Sequence, residues 1–500
     1  MLQKRMMAIL ALLCILPWIW LQKDVGIATD MAWLSGAAQH VLAGHKMTDF
    51  YHDNNPPMSI LIYIPVALLT AAGLPMWIAT NVFSMAFIAF FTALTARMLL
   101  AVPGLGGARF WAVLGGYFIS ITALCQIEIG NKDHLIATAL FPFILAQYCL
   151  TYKLPAPSWV SKLAIVAAVP LILVKPHYGL LCVLMLVHRF WRERRFSIVL
   201  DFDFLALAAG VMLYAGAIML WFPDFVTEIM PFITQLYIKD IIKDVFLSAE
   251  GMGIFSACLL TLAFCSDGDR DVRRFTVFLC CMALAADIPF FVQLKGFYLH
   301  MLPVFIFLVP AALMTASLYI KRVKIPGAAL SAIVVLGITT FSYLFIAANP
   351  YTTHDDYRES SLAEYLREHA KGSGFLMQSI TTNVVVPVSV YTGIPHATRF
   401  PNLWFVGLLD VSQDGGKMAS YLSRLVAEDL DRYKPAVVAL YHDPSPKDDL
   451  VKKLGGRPEF DRAWSHYRKV DEFKLDFGQF YKRKLYKSLG YDRFDIYERQ

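Results

Sequence analysis

TDMAWLSGAAQHVLAGHKMTDFYHDNNPP, residues 29–57, is the stretch on which the reading of the fold turns. It carries three carboxylates, Asp30, Asp49 and Asp53, and three histidines, His40, His45 and His52, and it closes on Asn54-Asn55-Pro56-Pro57. Apolar sequence flanks it, from Met6 to Leu21 before and over 58–73 after. A polar loop so rich in ionisable and aromatic groups, pinned between apolar runs, is where chemistry at a membrane wall is expected. Residues 31–43 fit a helix, with Thr29 or Asp30 as N-cap and Gly44 just past its end. Asp30 therefore reads as a cap or as a general base held at a helix start, and the two roles are compatible because a cap fixes the side chain. Asp49 and Asp53 read equally as turn residues beside Pro56 or as groups that face a substrate.

The composition sets the solvent. The chain has 500 residues, 57% of them hydrophobic, and a mean hydropathy of +0.52, against roughly 45–50% apolar in soluble domains. This predicts a multi-pass membrane protein. About half of the charged residues lie after Tyr351. The expected organisation is a transmembrane domain over 1–350, with a first external loop at 23–57, and a water-soluble domain over 351–500. The net charge of +6 reads as loop bias, because no basic stripe interleaved with aromatics appears, and nucleic acid is not an expected partner. The cysteines at 14, 125, 149, 182, 258, 265, 280 and 281 lie in or beside apolar runs and show neither zinc-ligand spacing nor a disulfide framework.

Spanning helices need roughly 20 apolar residues. Candidates are 6–22, 76–99, 109–127, 135–152, 160–174, 177–190, 203–222, 251–266, 274–292, 301–320 and 327–348. Lys4 and Arg5 before the first run also fit a signal peptide, with Gly26 and Ala28 as a cleavage site. Trp18 and Trp20 favour an uncleaved helix with the N-terminus in the cytoplasm. The segment 58–73 is short and ends at Gly73-Leu74-Pro75. If it is re-entrant or interfacial, nearly every basic cluster falls on the cytoplasmic side, as the positive-inside rule asks. The expected fold is thus an α-helical polytopic membrane protein of about eleven crossings plus one partial insertion, followed by a C-terminal α/β domain. In that domain a helix over 357–370, strands over 375–380, 384–390 and 436–441, a helix over 415–431 and a short edge strand over 494–498 are expected.

This bookkeeping puts the unusual polar motifs, and the tail, on the external face. They are the 29–57 loop, Glu128-Ile-Gly130-Asn131-Lys132-Asp133-His134, Lys175-Pro176-His177, and Lys295-Gly-Phe-Tyr298-Leu-His300. Four ionisable groups between two apolar spans usually mark a substrate path, although Asp133 also fits a helix cap, and lysines at helix ends also snorkel to lipid phosphate. Cations converging on one face favour an anionic ligand such as a lipid phosphate. Asp201-Phe-Asp203 and Asp267-Gly-Asp269 look like metal-holding DxD motifs but fall in cytoplasmic loops. Neither a P-loop nor a GxSxG element is present.

These motifs, in this order, resemble the membrane-embedded GT-C glycosyltransferases. They are most similar to the bacterial branch related to lipopolysaccharide-core and protein-mannosyl transferases. The likeness rests on an acidic residue opening the first external loop, a helix, a Gly and an acidic stretch ending in NPP, over roughly 1–350. Gly130-Asn-Lys-Asp-His-Leu135 is similar to a GQR(D/E)HL element of that branch, with Asn131 and Lys132 as departures. The Lys175-Pro-His177 and Lys295–His300 elements also look like outer-face motifs of that branch.

The resemblance implies a polyprenyl-phosphate-linked sugar as donor and a glycan, lipid or protein acceptor, at the outer face of a bacterial inner membrane. It implies Asp30 as general base, with Asp49 and Asp53 as second catalytic candidates for acceptor contacts or an optional metal. Substrate contacts would come from Asn55, Lys132, Asp133, His134, Lys175, His177, Lys295, Tyr298 and His300. No cofactor is obligatory, and a divalent cation, Mg or Mn, is compatible with it. A flippase for a lipid-linked glycan and a non-catalytic envelope-assembly protein are the alternatives.

Overall fold

The structure is a computed structural model. It describes residues 23–125, 128–236, 245–266, 268–293, 298–319, 352–370, 372–379, 382–411, 416–442, 449–476 and 491–500, with isolated positions between 330 and 344. The expected span 6–22, most of 327–348, and Lys295 lie outside the described residues. The chain folds into two compact units, 1–23, 82–216 and 241–348 in one, and 24–81, 217–240 and 349–500 in the other. The last piece of the second unit begins where the charge density rises, and the 29–57 loop belongs to that same unit.

The first unit is helical. Apolar residues occur on every side of its helices, which suits a low-dielectric solvent where backbone groups must be satisfied within the helix. Among the described residues of the chain, five helices are long and apolar enough to cross a membrane: Met76–Leu99, Lys132–Thr151, Phe202–Trp221, Arg270–Val292 and Tyr298–Tyr319. Lys132–Thr151 is buried almost throughout. Phe202–Trp221 instead turns Met212, Leu213, Met219, Leu220 and Trp221 outward, as a lipid-facing helix does. Pro142, Pro170, Pro289 and Pro310 all lie inside helices, a use of proline that neighbouring helices in a membrane tolerate. Gly116 lets two helices close up, since a Cβ there would sit 3.0 Å from the Pro310 backbone nitrogen.

The span expected over 109–127 is shorter, Ala108–Ile121. The Ser120 hydroxyl donates to the Gly116 carbonyl at 2.8 Å and the Thr122 hydroxyl to the Phe118 carbonyl at 2.5 Å. Such back-bonding competes with the helix ladder, and the chain turns before Glu128.

In the second unit the first helix is Thr29–Leu42. Its N-cap is Ala28, with no side-chain cap bond. The expected capping by Thr29 or Asp30 is therefore corrected. Asp30 stands in the first turn, where a carboxylate is favoured by the helix dipole. Gly44 follows the end as expected, at φ 77°, and its N–H bonds the Val41 carbonyl. The 58–73 segment is two helices, Pro57–Leu61 and Ile64–Ala71, which pack on Thr29–Leu42. At ~1.5 Å rise per residue neither piece alone reaches across a ~30 Å hydrocarbon core.

The sheet of this unit has four strands in the order β1 (Phe375–Met377), β2 (Val437–Tyr441), β4 (Tyr491–Arg499), β3 (Tyr467–Asp476). β1 and β2 are parallel, and β4 runs antiparallel to both of its neighbours. Strand alternation feeds two cores. Leu376, Val438 and Leu440 join one with Leu422, Leu425 and Val426 of the Lys417–Tyr433 helix. Phe375, Met377, Val437 and Ala439 join the other with Leu362, Leu366, Val384, Val385 and Val388.

Three expectations are corrected here. The run over 384–390 is not a strand but part of the helix Thr382–Thr392, because the 384, 385, 388 spacing of its buried valines is helical and tertiary burial overrides β-branched preference. The helix over 357–370 is two, His354–Arg358 and Ser361–His369, each with its own side-chain cap, Thr353 and Ser360. The expected edge strand over 494–498 is the interior strand β4. One edge, beside β4, is β3, YRKVDEFKLD, whose charges hide it from hydropathy and discourage pairing with another chain.

Candidate functional site

In the first unit the Glu128–His134 motif is built around a glycine. Gly130 has φ 87°, a conformation that turns its N–H onto His134 Nδ1 at 3.0 Å. The other ring nitrogen of His134 meets the Ile121 carbonyl at 2.8 Å. Nε2 therefore carries the proton and Nδ1 accepts, so both nitrogens are engaged inside the protein. Asn131, not Asp133, caps the Lys132–Thr151 helix, its side chain accepting from the Asp133 N–H at 3.2 Å.

Asp133 is left to face Lys175. Lys175 Nζ lies 2.5 Å from Asp133 Oδ1, with the carboxylate 2% exposed. Lys132 and His300 are the further electrostatic neighbours of Asp133, and His177 interacts with Lys175 and Asp133. Lys132 and His300 are buried, whereas His177 is exposed. Segments far apart in sequence thus converge, and the Lys132 and Lys175 ammonium groups and the Asp133 carboxylate share one neighbourhood. Ionic groups buried at the ends of apolar helices are costly. Two ammonium groups so placed can hold an anion such as a phosphate by charge-assisted hydrogen bonds. Tyr298, from the same expected set, donates its hydroxyl to the Leu124 carbonyl at 2.6 Å.

In the second unit the 29–57 loop gathers its own cluster. Tyr51 is buried and donates to the Asn55 carbonyl at 3.2 Å, while Asn55 Nδ2 donates to Asp53 Oδ2 at 2.8 Å. The Trp33 ring stacks on Tyr51 at 5.7 Å. Burial, then the Asp53 and Asp30 carboxylates, hold the Tyr51 phenol well above its ordinary value. Asp30, Asp53 and Asn55 therefore lie around one buried tyrosine. Asp49 has other neighbours. Its carbonyl accepts from Tyr433 Oη at 3.0 Å and Arg432 at 3.2 Å, and its carboxylate lies 3.7 Å from Arg432. Of the three loop histidines, His40 and His45 share an exposed hydrogen bond of 2.9 Å, and His52 is fully buried.

The residues that sequence reasoning missed are the ones that hold this loop. Arg399 is buried and donates to Asp429 at 2.8 Å, to Glu428 at 3.0 Å and to the Thr48 carbonyl at 3.2 Å, while its own carbonyl accepts the His52 N–H at 2.7 Å. His52 packs edge-on to Phe232 and Phe400, and its Nε2 is 3.3 Å from the Tyr421 hydroxyl. Burial, then the Arg399 charge, lower its pKa to about 3. Residues 48–52 are thus held at Thr48 O, Asp49 O and His52 N. One sequence signal existed. Asp429 falls on the apolar stripe Leu422, Leu425, Val426, Leu430 of an amphipathic helix, and a buried acid needs a cation.

The two DxD sequences serve structure. Asp201 and Asp203 both pair with Arg189, and Gln147 donates to Asp203 at 3.2 Å. Asp269 accepts the N–H groups of Asp271 and Val272 at a helix start, and Asp267 lies outside the described residues. Among the described residues the His/Cys/Asp/Glu group within metal-ligand reach is His442, Glu472 and Asp495, and Lys469 bridges its two carboxylates at 2.9 and 2.8 Å.

No family model matches the chain, and no curated protein does. Among solved structures, the chain is similar to ArnT from Cupriavidus metallidurans in its apo state, with a TM-score of 0.42 and 12% identity, over 98% of this chain and 97% of that one. It is also similar to ArnT from Cupriavidus metallidurans bound to undecaprenyl phosphate, with a TM-score of 0.41 and 13% identity, over 92% of this chain and 87% of that one. At this level the likeness assigns neither ligand nor catalytic residue.

Proposed function

We propose that this multi-pass membrane protein is a GT-C type glycosyltransferase that moves a sugar from a polyprenyl-phosphate-linked donor to an envelope acceptor, a lipid, polysaccharide or protein. The observation that carries the reading is the cluster of buried Lys132, Asp133 and His300 with half-buried Lys175 at the ends of apolar helices. A lipid-linked phosphate is a ligand that reaches such a place from the membrane and that the positive charge of its two ammonium groups can hold.

The chemistry follows from that charge. The acceptor hydroxyl oxygen forms a bond to the sugar's anomeric carbon as the bond from that carbon to the phosphate oxygen breaks, through an oxocarbenium-like state. The electron pair leaves with the polyprenyl phosphate, whose developing charge Lys132 and Lys175 stabilise. Lys175 is already oriented by Asp133, which limits the reorganisation needed. A base removes the acceptor's proton, a contribution of typically 10²–10⁴-fold. The family resemblance assigns that role to Asp30. Its position in the first turn of Thr29–Leu42 is compatible with the role.

The test is turnover. Purified protein is given a polyprenyl-phosphate sugar with and without candidate acceptors, and sugar transfer and free polyprenyl phosphate are both measured. Transfer by the wild type and loss of transfer in Asp30→Asn, with the thermal midpoint unchanged, are the expected outcomes. Movement of intact donor across a bilayer without transfer would make the protein a flippase. Full activity in Asp30→Asn would remove Asp30 as the base.

A further inference from the structure

We propose that Tyr152, Arg192 and Arg274 form a binding site for the phosphate of an anionic phospholipid, separate from the Lys132 and Lys175 cluster. Three helices contribute. Tyr152 follows the end of Lys132–Thr151, Arg192 lies in the last turn of Gly179–Glu193, and Arg274 lies in the second turn of Arg270–Gln293. The Arg192 guanidinium stands 4.4 Å from the centre of the Tyr152 ring and that of Arg274 5.2 Å from it. Both distances are within the ~6 Å range of a cation–π contact. His188 Nε2 is 3.1 Å from the Tyr152 hydroxyl. Lys153, the next residue, is exposed.

Two guanidiniums thus stand against one ring. The carboxylate that answers them is Asp271, 2.9 Å from Arg274 and 45% exposed, and Arg192 has no carboxylate partner among the described residues. Two guanidiniums drawn to one ring repel each other, and a bound anion offsets that repulsion. A phosphate is the group that the planar guanidinium fork fits best.

The surroundings identify the anion as a lipid's. The site lies at the ends of two membrane-length helices, at headgroup level. Next to it Trp191 and Phe196 are 66% and 81% exposed, side chains that suit acyl chains and not water. Lys132–Thr151 places the site one membrane thickness from Lys132, ~30 Å for a helix of this length. It therefore belongs to the opposite leaflet from the proposed substrate phosphate.

The test uses the detergent-purified full-length protein with phosphatidylglycerol, phosphatidylethanolamine and inorganic phosphate as probes. Lipid retention is read by native mass spectrometry and stabilisation by thermal shift. Phosphatidylglycerol is expected to be retained and to raise the midpoint, with binding weakened by salt, and phosphatidylethanolamine is not. Arg192→Gln/Arg274→Gln is expected to lower phosphatidylglycerol affinity at least tenfold and to leave undecaprenyl phosphate binding unchanged. Arg192→Gln alone, at an exposed position, is the control for folding, and its affinity is expected to fall as well. Equal retention of the two lipids, unchanged affinity in these variants, or full displacement by inorganic phosphate would overturn the proposal.

Discussion

Replacing Lys175 by Gln and, separately, Asp133 by Asn should move phosphate-lipid affinity in opposite directions. In the wild type the Asp133 carboxylate holds Lys175 Nζ at 2.5 Å. Lys175→Gln removes one of the two ammonium groups proposed to hold the phosphate. The loss of one charge-assisted contact to a phosphate is worth about 1.5–3 kcal/mol, or roughly 10- to 150-fold in affinity. Asp133→Asn removes the carboxylate that now holds Lys175 and leaves that ammonium to the incoming phosphate, so affinity should rise or hold. Both variants should be less stable, Lys175→Gln more so, since it strands a carboxylate that is 2% exposed. Undecaprenyl phosphate, titrated into the purified protein by calorimetry beside a thermal melt, reports both quantities. Equal weakening in the two variants would show that the pair acts only through structure, and the phosphate assignment would fall with it.

Three further outcomes bear on the second unit. Arg399→Leu leaves Asp429, whose side chain is 0% exposed, without its cation and should cost about 3–5 kcal/mol. Adding Asp429→Asn should recover part of that loss in denaturant melts, and a single-variant cost below about 1 kcal/mol would contradict the network. His52 and His396 are both lowered to about 3, chiefly by burial, from an unfolded value near ~6.5. As pH falls below ~6.5 the unfolded chain takes up protons that the folded unit refuses. Stability should therefore fall by about 1.4 kcal/mol per pH unit per histidine towards pH ~4, and these two residues contribute no slope above pH ~7. A flat profile between pH 7 and 5, measured against His52→Phe, would refute that. Arg399→Lys, which keeps the charge but loses the fork, should raise the acceptor KM more than it lowers kcat if the arginine acts by holding residues 48–52, and equal changes in both would argue against it.

Much of the helix placement was legible in the sequence. The Met76–Leu99 helix has the bounds that hydropathy set, and Lys132–Thr151, Phe202–Trp221 and Arg270–Gln293 begin and end within four residues of expectation. Long apolar runs leave little choice of structure in a lipid solvent. The legible part of the site was its ingredients. Lys132, Asp133, Lys175 and His300 stood out because ionisable groups beside apolar spans are rare. Their roles were less legible. His134 shares that motif, yet both its nitrogens are taken by the backbone.

What the sequence by itself determined is the solvent of this protein: a membrane, crossed by apolar helices and followed by a charged region with strand and helix signals. What only the tertiary structure decided is which ionic groups meet. It sent Asp133 to Lys175, placed Asp30 and Asp53 around Tyr51, gave Asp49 to Arg432 and closed Arg399 on the loop at 48–52. It also made β3, the most charged strand, an edge of the sheet. The physical reason is common to all of these. Hydropathy depends on each residue's own transfer free energy and can be summed along the chain, whereas an ion pair depends on distance, and the distance between residues 133 and 175 or 48 and 399 is set by packing alone.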